Sequence, residues 1–419
     1  MTSVAGEGWF STPSLRRVFE VLNVDGGEVR VVGGAVRNSL MGLPAGDIDM
    51  ATTWRPDEVA ERAKAAGIKV VPTGIDHGTV TLVIDGTPYE VTTLRRDVAT
   101  DGRHAEVAFG TDWKADAERR DFTINALYAD ARGEVFDDVG GLSDIETRTL
   151  RFIGDASERV AEDYLRVLRF FRFFAHYGNG RPDADGLRAC ARARSKLSTL
   201  SAERVWAETK KLLSATDPGR ALLWMRQAGV LTEILPETEK WGIDAIPDLV
   251  AAERAFGWMP DPLLRLSAIV PPDEERLEAM AERLRISKAE AGFFSRWVKA
   301  PAIAATTADT AFDRLLYRNG AEGIAVKLRL ALATARRKSE EDPSRLSETA
   351  ALRRLLARAE GWQRPSFPLS GSDVLKAGLA AGPRVGEILS ELETLWVERN
   401  FSLDRANLLA RLETMVRSA

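Results

Sequence analysis

The chain has 419 residues, 45% hydrophobic and 29% charged, with a formal net charge of −4. At roughly 100–200 residues per domain it has room for several packed cores. No apolar run approaches the roughly 18 residues of a membrane span, and Met1–Ser14 has no basic start leading into an apolar stretch, so the expectation is a cytoplasmic protein outside the membrane. One cysteine, Cys190, excludes an internal disulfide, and three histidines (His77, His104, His176) argue against a zinc enzyme of the usual kind.

Residues 1–150 mix strand and helix signals. Val29–Val32 is a β-branched run ending at Gly33-Gly34. Ala35–Met41 reads as a helix, and Gly42–Gly46 turns into a strand over Asp47–Ala51. Asp57–Ala66 is a helix opened by Pro56. Thr79–Ile84 and Pro88–Leu94 alternate as strands across Asp85-Gly86, a hairpin signal. Beyond Ser157, Asp163–Tyr177, Ser201–Leu213, Arg220–Ala228, Glu274–Arg285, Lys288–Lys299 and Glu322–Arg337 have helical periodicity. The expected fold is an α/β head with a small mixed or antiparallel sheet, followed by an all-α remainder. Composition breaks divide it into a head (1–150), a helical neck (151–215), a helical body (216–364) and a helical tail (365–419).

The average charge hides a local excess. Arg159–Lys211 holds 12 Lys and Arg against 6 Asp and Glu, so the remainder carries −10. Screening acts over about 8 Å at physiological salt, so a distant acidic surface does not cancel a basic region that could hold a polyanion. A solvated pair of Arg-rich helices would read the same way.

Gly33-Gly34 between a strand and a helix lets backbone amides approach a phosphate, although a tight turn explains the pair as well. Asp47 and Asp49, two apart on a strand, point to one face and repel unless a cation lies between them. Mg²⁺, a hard cation that takes one or two carboxylates plus substrate phosphates, suits them. If the strand bearing Glu90 pairs beside them, a third carboxylate joins, and two ions about 3.5–4 Å apart could hold the attacking and leaving oxygens of a phosphoryl displacement.

Gly33–Asn38 (GGAVRN), Asp47–Asp49 (DID), Glu118–Tyr128 (ERRDFTINALY) and Glu162–Phe173 (EDYLRVLRFFRF) occur in an order that resembles the class II tRNA nucleotidyltransferases. This branch of the polymerase-β superfamily contains CCA-adding enzymes and bacterial poly(A) polymerases. Where the family usually has Asp, this chain has Asn38. The resemblance implies a polymerase-β-like head, catalytic Asp47 and Asp49 with Mg²⁺, and nucleotide contacts from Gly34, Arg37 and Arg120. Arg120, a fixed fork of donors, suits triphosphate oxygens, and Asp121 and Asn125, four apart, are expected on one helical face, with Asn125 among the nucleotide-binding residues.

Asp163, Arg166, Arg169 and Arg172 step by three along an expected helix. Cytosine and adenine present an amine donor beside a ring-nitrogen acceptor; uracil and guanine present the reverse. A carboxylate accepts and a guanidinium only donates, so Asp163 with Arg166 matches C and A. A site built on such bonds can reject the wrong pattern by about 10⁴–10⁵. A surface salt bridge between i and i+3 is the alternative. The resemblance implies the template reading, with Arg169 and Arg172 nearer the phosphates. It also makes Arg95–Gly110 a flexible loop, with Asp101-Gly102-Arg103 helping the site change from C to A. His77 reads as closing a hairpin rather than as a base. Gly371–Trp396 reads as helix, Gly-Pro turn, helix, which is an ordinary helical hairpin or a tRNA phosphate contact.

The expectation is template-independent addition of CCA to a tRNA 3′ end from CTP and ATP, with release of pyrophosphate and no obligate protein partner. A poly(A) polymerase or an A-only tRNA enzyme with the same head is the alternative, and an inactive RNA-binding protein a remote one.

Overall fold

The computed structural model describes residues 2–72, 74, 78–101, 104–239 and 242–417. The chain divides into two compact units, Met1–Pro236 and Glu237–Ala419.

In the first unit, α1 (Pro13–Leu22) leads into β1 (Val29–Val32), α2 (Gly34–Leu40), β2 (Asp49–Thr52) and α3 (Pro56–Ala65). There follow β3 (Lys69–Val71), β4 (Thr79–Ile84) and β5 (Thr87–Thr93), then a separate two-stranded hairpin of β6 (Arg95–Asp101) and β7 (His104–Phe109). After α4 (Trp113–Glu118), β8 (Leu127–Ala129) and β9 (Val135–Asp137) complete a seven-stranded sheet of order β3-β4-β5-β2-β1-β8-β9. Within it, β2 and β5 are parallel and the other paired strands antiparallel. The mixed sheet expected of the head is therefore present. The β4–β5 turn is made by Asp85 and Gly86 at φ 51° and 80°, the left-handed pair that a two-residue hairpin demands.

The helices that follow are α5 (Gly141–Glu146), α6 (Ala156–Glu162), α7 (Leu165–Tyr177), α8 (Ala184–Ala193), α9 (Ala202–Leu213), α10 (Gly219–Gln227) and α11 (Val230–Ile234). Seven residues of α7 are buried: Leu165, Val167, Leu168, Phe170, Phe171, Phe173 and Phe174. Phe170 stacks on Phe152 at 5.4 Å and Phe122 packs on Phe173 at 5.3 Å, so α7 rests on the segment before β8. The arginines of α7 occupy what remains of its surface. Burial of such rings supplies about 1.5–3 kcal/mol each.

Among the described residues, the regular elements of the second unit are all helices. One core gathers Phe312, Leu316, Ile324, Leu328 and Leu355, and another Val374, Ile388, Leu392, Trp396 and Leu408. Helices Gly371–Lys376 and Pro383–Glu398 form the helix–turn–helix expected near the C-terminus.

Three local expectations are corrected. The strand expected over Asp47–Ala51 starts at Asp49, so Asp47 lies in the bend before it. The helix expected from Asp163 starts at Leu165, because Asp163 is extended (φ −152°, ψ 109°) and ends α6. Its Oδ1 accepts the Leu165 amide at 3.0 Å, the behaviour that favours Asp at helix starts. Asp121 and Asn125 share no α-helix: a bridge between Phe122 and Phe152 and a single 3₁₀ turn, Thr123–Asn125, carry the chain into β8.

That 3₁₀ turn is held closely from outside. A Cβ on Gly141, the first residue of α5, would fall 2.4 Å from the Thr123 carbonyl oxygen. We expect Gly141→Ala to destabilise the first unit by about 1–3 kcal/mol, as overpacking does; urea titration followed by far-UV circular dichroism would measure it.

Candidate active site

The sheet positions the acids. Asp49 opens β2, with Val32 of β1 as its partner on one side and Glu90 of β5 on the other. Cross-strand partners project to one face, so the Asp49 and Glu90 carboxylates are neighbours, with Asp47 two residues upstream. The Asp49 carboxyl is pushed up to about 6, first by the protein around it and then by the negative Glu90 and Asp47, while Arg120 pulls it back. Among the described residues no three Asp, Glu, His or Cys side chains close around one ion-sized point. These acids feel one another without chelating an ion alone. That fits Mg²⁺, which keeps waters and completes its shell with substrate phosphate oxygens.

Arg120 faces Asp49 from a fixed mount. Its Nε donates to the Tyr128 hydroxyl at 3.0 Å, and its Nη2 to Asp116 Oδ2 at 3.1 Å. The Tyr128 hydroxyl donates to the same Asp116 oxygen at 2.7 Å, and Arg119 takes the other oxygen at 2.6 Å. Burial works to raise Asp116, but the guanidiniums of Arg120 and Arg119 and the Tyr128 hydroxyl outweigh it and keep it below the usual carboxylate range. Nη1 of Arg120 has no partner among the described residues, which leaves it one open edge. Asp116 and Tyr128 escaped the sequence reading. Asp116 stands four residues before Arg120, a spacing that could have revealed it.

Arg37 is buried, at 6% exposure. It donates to Asn38 Oδ1 from Nε (3.1 Å) and Nη2 (2.9 Å), to the Tyr177 hydroxyl (2.8 Å) and to Asn125 Oδ1. Its guanidinium also lies 4.0 Å from the Tyr177 ring centre. Of its donors only part of Nη1 is left open, and the bond to Tyr177 ties α2 to α7. The amide of Asn38 explains why no charge is needed there: Oδ1 accepts from Arg37 while Nδ2 donates to the Pro44 carbonyl at 2.9 Å. Gly33 sits at φ 75°, and its own amide bonds the Leu127 carbonyl at 3.0 Å, so that amide is spent inside the sheet. Gly34 lies against the Arg37 guanidinium.

Asn125 continues the chain of contacts. Its Nδ2 donates to Asp121 Oδ1 at 3.1 Å, and the Phe122 amide reaches the same oxygen at 2.9 Å. The other Asp121 oxygen accepts from Arg169 Nε at 2.8 Å and from Arg169 Nη2. Burial would raise the Asp121 carboxyl; Arg169, Asn125 and the Phe122 amide together hold it low. The helix expected to align Asp121 with Asn125 is absent, yet the two meet.

Asp163 and Arg166 make no ion pair with each other. Asp163 Oδ2 accepts from Arg204 Nη2 at 2.6 Å, whereas Arg166 Nη1 donates to Glu162 at 2.5 Å and to the Arg159 carbonyl at 3.0 Å. The field of Asp163 reaches Arg169, so the pair adjoins the Asp121 network. Arg172 pairs with the buried Glu208 of α9 at 2.9 Å. Arg103 and His77 lie outside the described residues, and Asp101 is described only as backbone of β6. The charges of Asp49 and Arg120 act on each other, Asp121 follows Arg120 and bonds Arg169, and the charge of Asp163 acts on Arg169 in turn.

Comparison with known proteins bears on this arrangement. Residues 29–151 match the family described as "Poly A polymerase head domain", and residues 182–241 match "Probable RNA and SrmB- binding site of polymerase A". The mitochondrial CCA tRNA nucleotidyltransferase 1 of Mus musculus is 34% identical over 413 residues, covering 96% of this chain and 90% of the mouse protein. The CCA-adding enzyme of Streptococcus pneumoniae is 30% identical over 422 residues and covers 98% of both. The chain belongs to the CCA-adding tRNA nucleotidyltransferase family. Its fold superposes on the Bacillus stearothermophilus CCA-adding enzyme solved with CTP, at a TM-score of 0.68 and 28% identity over 97% of this chain and 98% of that one. No helix among the described residues is long and apolar enough to cross a membrane.

The raised Asp49 carboxyl has a consequence for stability. An unfolded Asp ionises near 3.9, so between about pH 4 and 6 the Asp49 carboxyl holds more of its proton in the folded chain than in the unfolded one. In chelator, the contribution of Asp49 to stability therefore falls as pH rises through this window, and comparison with a variant lacking the carboxyl isolates it from the carboxyls held low. Asn in place of Asp49 removes that loss: above pH 6 the Asp49→Asn protein is expected to melt at a higher temperature than the parent. At pH 4 the two should converge. Thermal melts in EDTA at both pH values provide the comparison.

Proposed function

We propose that this chain adds C, C and A to the 3′ end of tRNA from CTP and ATP, selecting each base with protein side chains. The observation that carries the reading is the Asp121–Arg169 ion pair, which ties the residue after Arg120, whose charge acts on Asp49, to the helix that begins beside Asp163. A nucleotide laid along these residues would meet phosphate chemistry at one end and base recognition at the other. Relatives similar along nearly the whole chain are named for this activity.

In this reading the tRNA 3′-hydroxyl attacks the α-phosphate and pyrophosphate leaves. Asp47 and Asp49 would hold Mg²⁺, with Glu90 beside them as a third acid, and the ion supplies charge neutralisation and a lowered hydroxyl pKa. Arg120 turns its open edge to the triphosphate, pre-aimed by Asp116 and Tyr128, so little ordering is left to the moment of reaction. Gly33 gives the left-handed turn that brings Gly34 close to the nucleotide, and Arg37 and Asn125 keep that turn in register with α7. Asp163 accepts from the exocyclic amine of C or A, and Arg166 donates to the ring nitrogen. Arg169 and Arg172 set positive charge on the phosphate side of that pair. The hairpin β6–β7, with Asp101 and Arg103, serves the change from C to A.

We assign the chemistry to the head (1–150) and base choice to the neck (151–215). The tRNA acceptor arm goes to the basic Arg159–Lys211 stretch, the body (216–364) and the tail (365–419), through phosphate and shape contacts.

The test uses three tRNAs, one lacking the whole terminal triplet, one ending in its first C and one in its second, each with CTP, ATP or both. Ordered addition of C, C and A followed by arrest is the expected result. Long A-tails would make the chain a poly(A) polymerase, and addition only to the third tRNA an A-only enzyme. Silence with all three would overturn the reading. Asp163→Ala is expected to lower the preference for CTP over UTP by about 10²-fold or more, out of the 10⁴–10⁵ such a site can reach. A preference equal to the parent's would remove Asp163 from base choice.

A further inference from the structure

We propose that Arg204 is a positioning residue for base choice, holding the Asp163 carboxylate in the orientation that reads C and A. This rests on the assignment of Asp163 and Arg166 as the base-reading pair and adds a residue to it from a different helix, 41 positions along the chain.

An aspartate in extended backbone between two helices has two soft side-chain torsions, and a carboxylate that swivels cannot select between hydrogen-bond patterns. Here the swivel is stopped at both oxygens. Oδ1 takes the Leu165 amide at 3.0 Å and Oδ2 takes Arg204 Nη2 at 2.6 Å. A carboxylate oxygen has two lone pairs, so each retains one for a nucleobase amine. The partner half of the pair is treated alike. Arg166 is gripped through Nη1 by Glu162 and the Arg159 carbonyl, while its Nε and Nη2 have no partner among the described residues. Acid and guanidinium are therefore each held from one side and open on another, instead of neutralising each other.

Arg204 can serve as a fixed support because its helix is fixed. Val205, Trp206, Leu212 and Leu213 bury one face of α9, and Glu208, one turn after Arg204, pairs with Arg172 of α7 at 2.9 Å. The helix that carries Arg204 is thereby locked to the helix that carries Arg166. The Arg204 side chain is 48% exposed, so its ion pair contributes little to folding. A purely structural role would leave base preference untouched, which separates the two roles.

The experiment measures kcat/KM for CTP, UTP, ATP and GTP with the full-length parent, Arg204→Gln, Arg204→Lys, Asp163→Ala and the double variant Asp163→Ala/Arg204→Gln. Melting curves confirm folding. Arg204→Gln is expected to lower the CTP/UTP and ATP/GTP ratios at least tenfold, and Arg204→Lys to restore most of the loss. In the Asp163→Ala background the second substitution should change the ratios less than twofold, because its effect passes through Asp163. If Asp163→Ala loses base preference while Arg204→Gln keeps the parent's, the role of Arg204 is refuted and the base-reading pair stands. The role is also refuted if Arg204→Gln erodes preference equally with and without Asp163. Should Asp163→Ala itself keep the parent's preference, the underlying pair fails and this inference with it.

Discussion

The ionic contact between Asp121 and Arg169 is the constraint on which the arrangement depends. Asp121 follows Arg120, which faces the Asp49 acids, and Arg169 lies on α7, the helix that begins beside Asp163. One buried carboxylate thus joins the part of the sheet suited to phosphate chemistry to the helix suited to reading a base. A half-buried pair of this kind gains little over an apolar substitute, because Arg169 keeps water on one side. Its value here lies in orientation. Each Asp121 oxygen has its own donors, Asn125 and the Phe122 amide on one and Arg169 on the other, so the joint has no free rotation.

The same device recurs through the site. Asp116 fixes Arg120 and Arg119, Asn38 and Asn125 fix Arg37, Glu162 fixes Arg166, and Arg204 fixes Asp163. A surface expected to meet a triphosphate and a polar base edge needs charged groups that do not collapse onto each other. Second partners hold them apart, and the phenylalanines under α7 supply the apolar footing. Preorganisation of this sort is where much of an enzyme's transition-state stabilisation resides.

Much of this was legible in the residues. Alternation, the Asp85-Gly86 turn and the apolar periodicity of the later helices gave the mixed sheet and the helical remainder, because these patterns are local. The acids at 47, 49 and 90 were legible as a group once β2 and β5 were supposed adjacent, and the ladder pairs Asp49 with Glu90. What stayed hidden was long-range or turned on a single residue's backbone. Periodicity alone extends α7 back to Asp163, though an aspartate before a helix prefers to cap it. Asn125 and Tyr177, the partners of Arg37, lie far along the chain from it, beyond the reach of any local pattern. No pattern of spacing could have linked Arg204 to Asp163, since only the packing of α9 on α7 brings them together.

The central claim is that one nucleotide spans the acids of β2 and the pair at the start of α7. A crystal of this chain soaked with Mg²⁺ and a CTP analogue that cannot be cleaved between its α- and β-phosphates measures this directly. A single bound molecule is expected, with its α-phosphate beside Asp47 and Asp49 and its base edge on Asp163 and Arg166. Phosphates at the acids with the base turned away from Asp163 would contradict it.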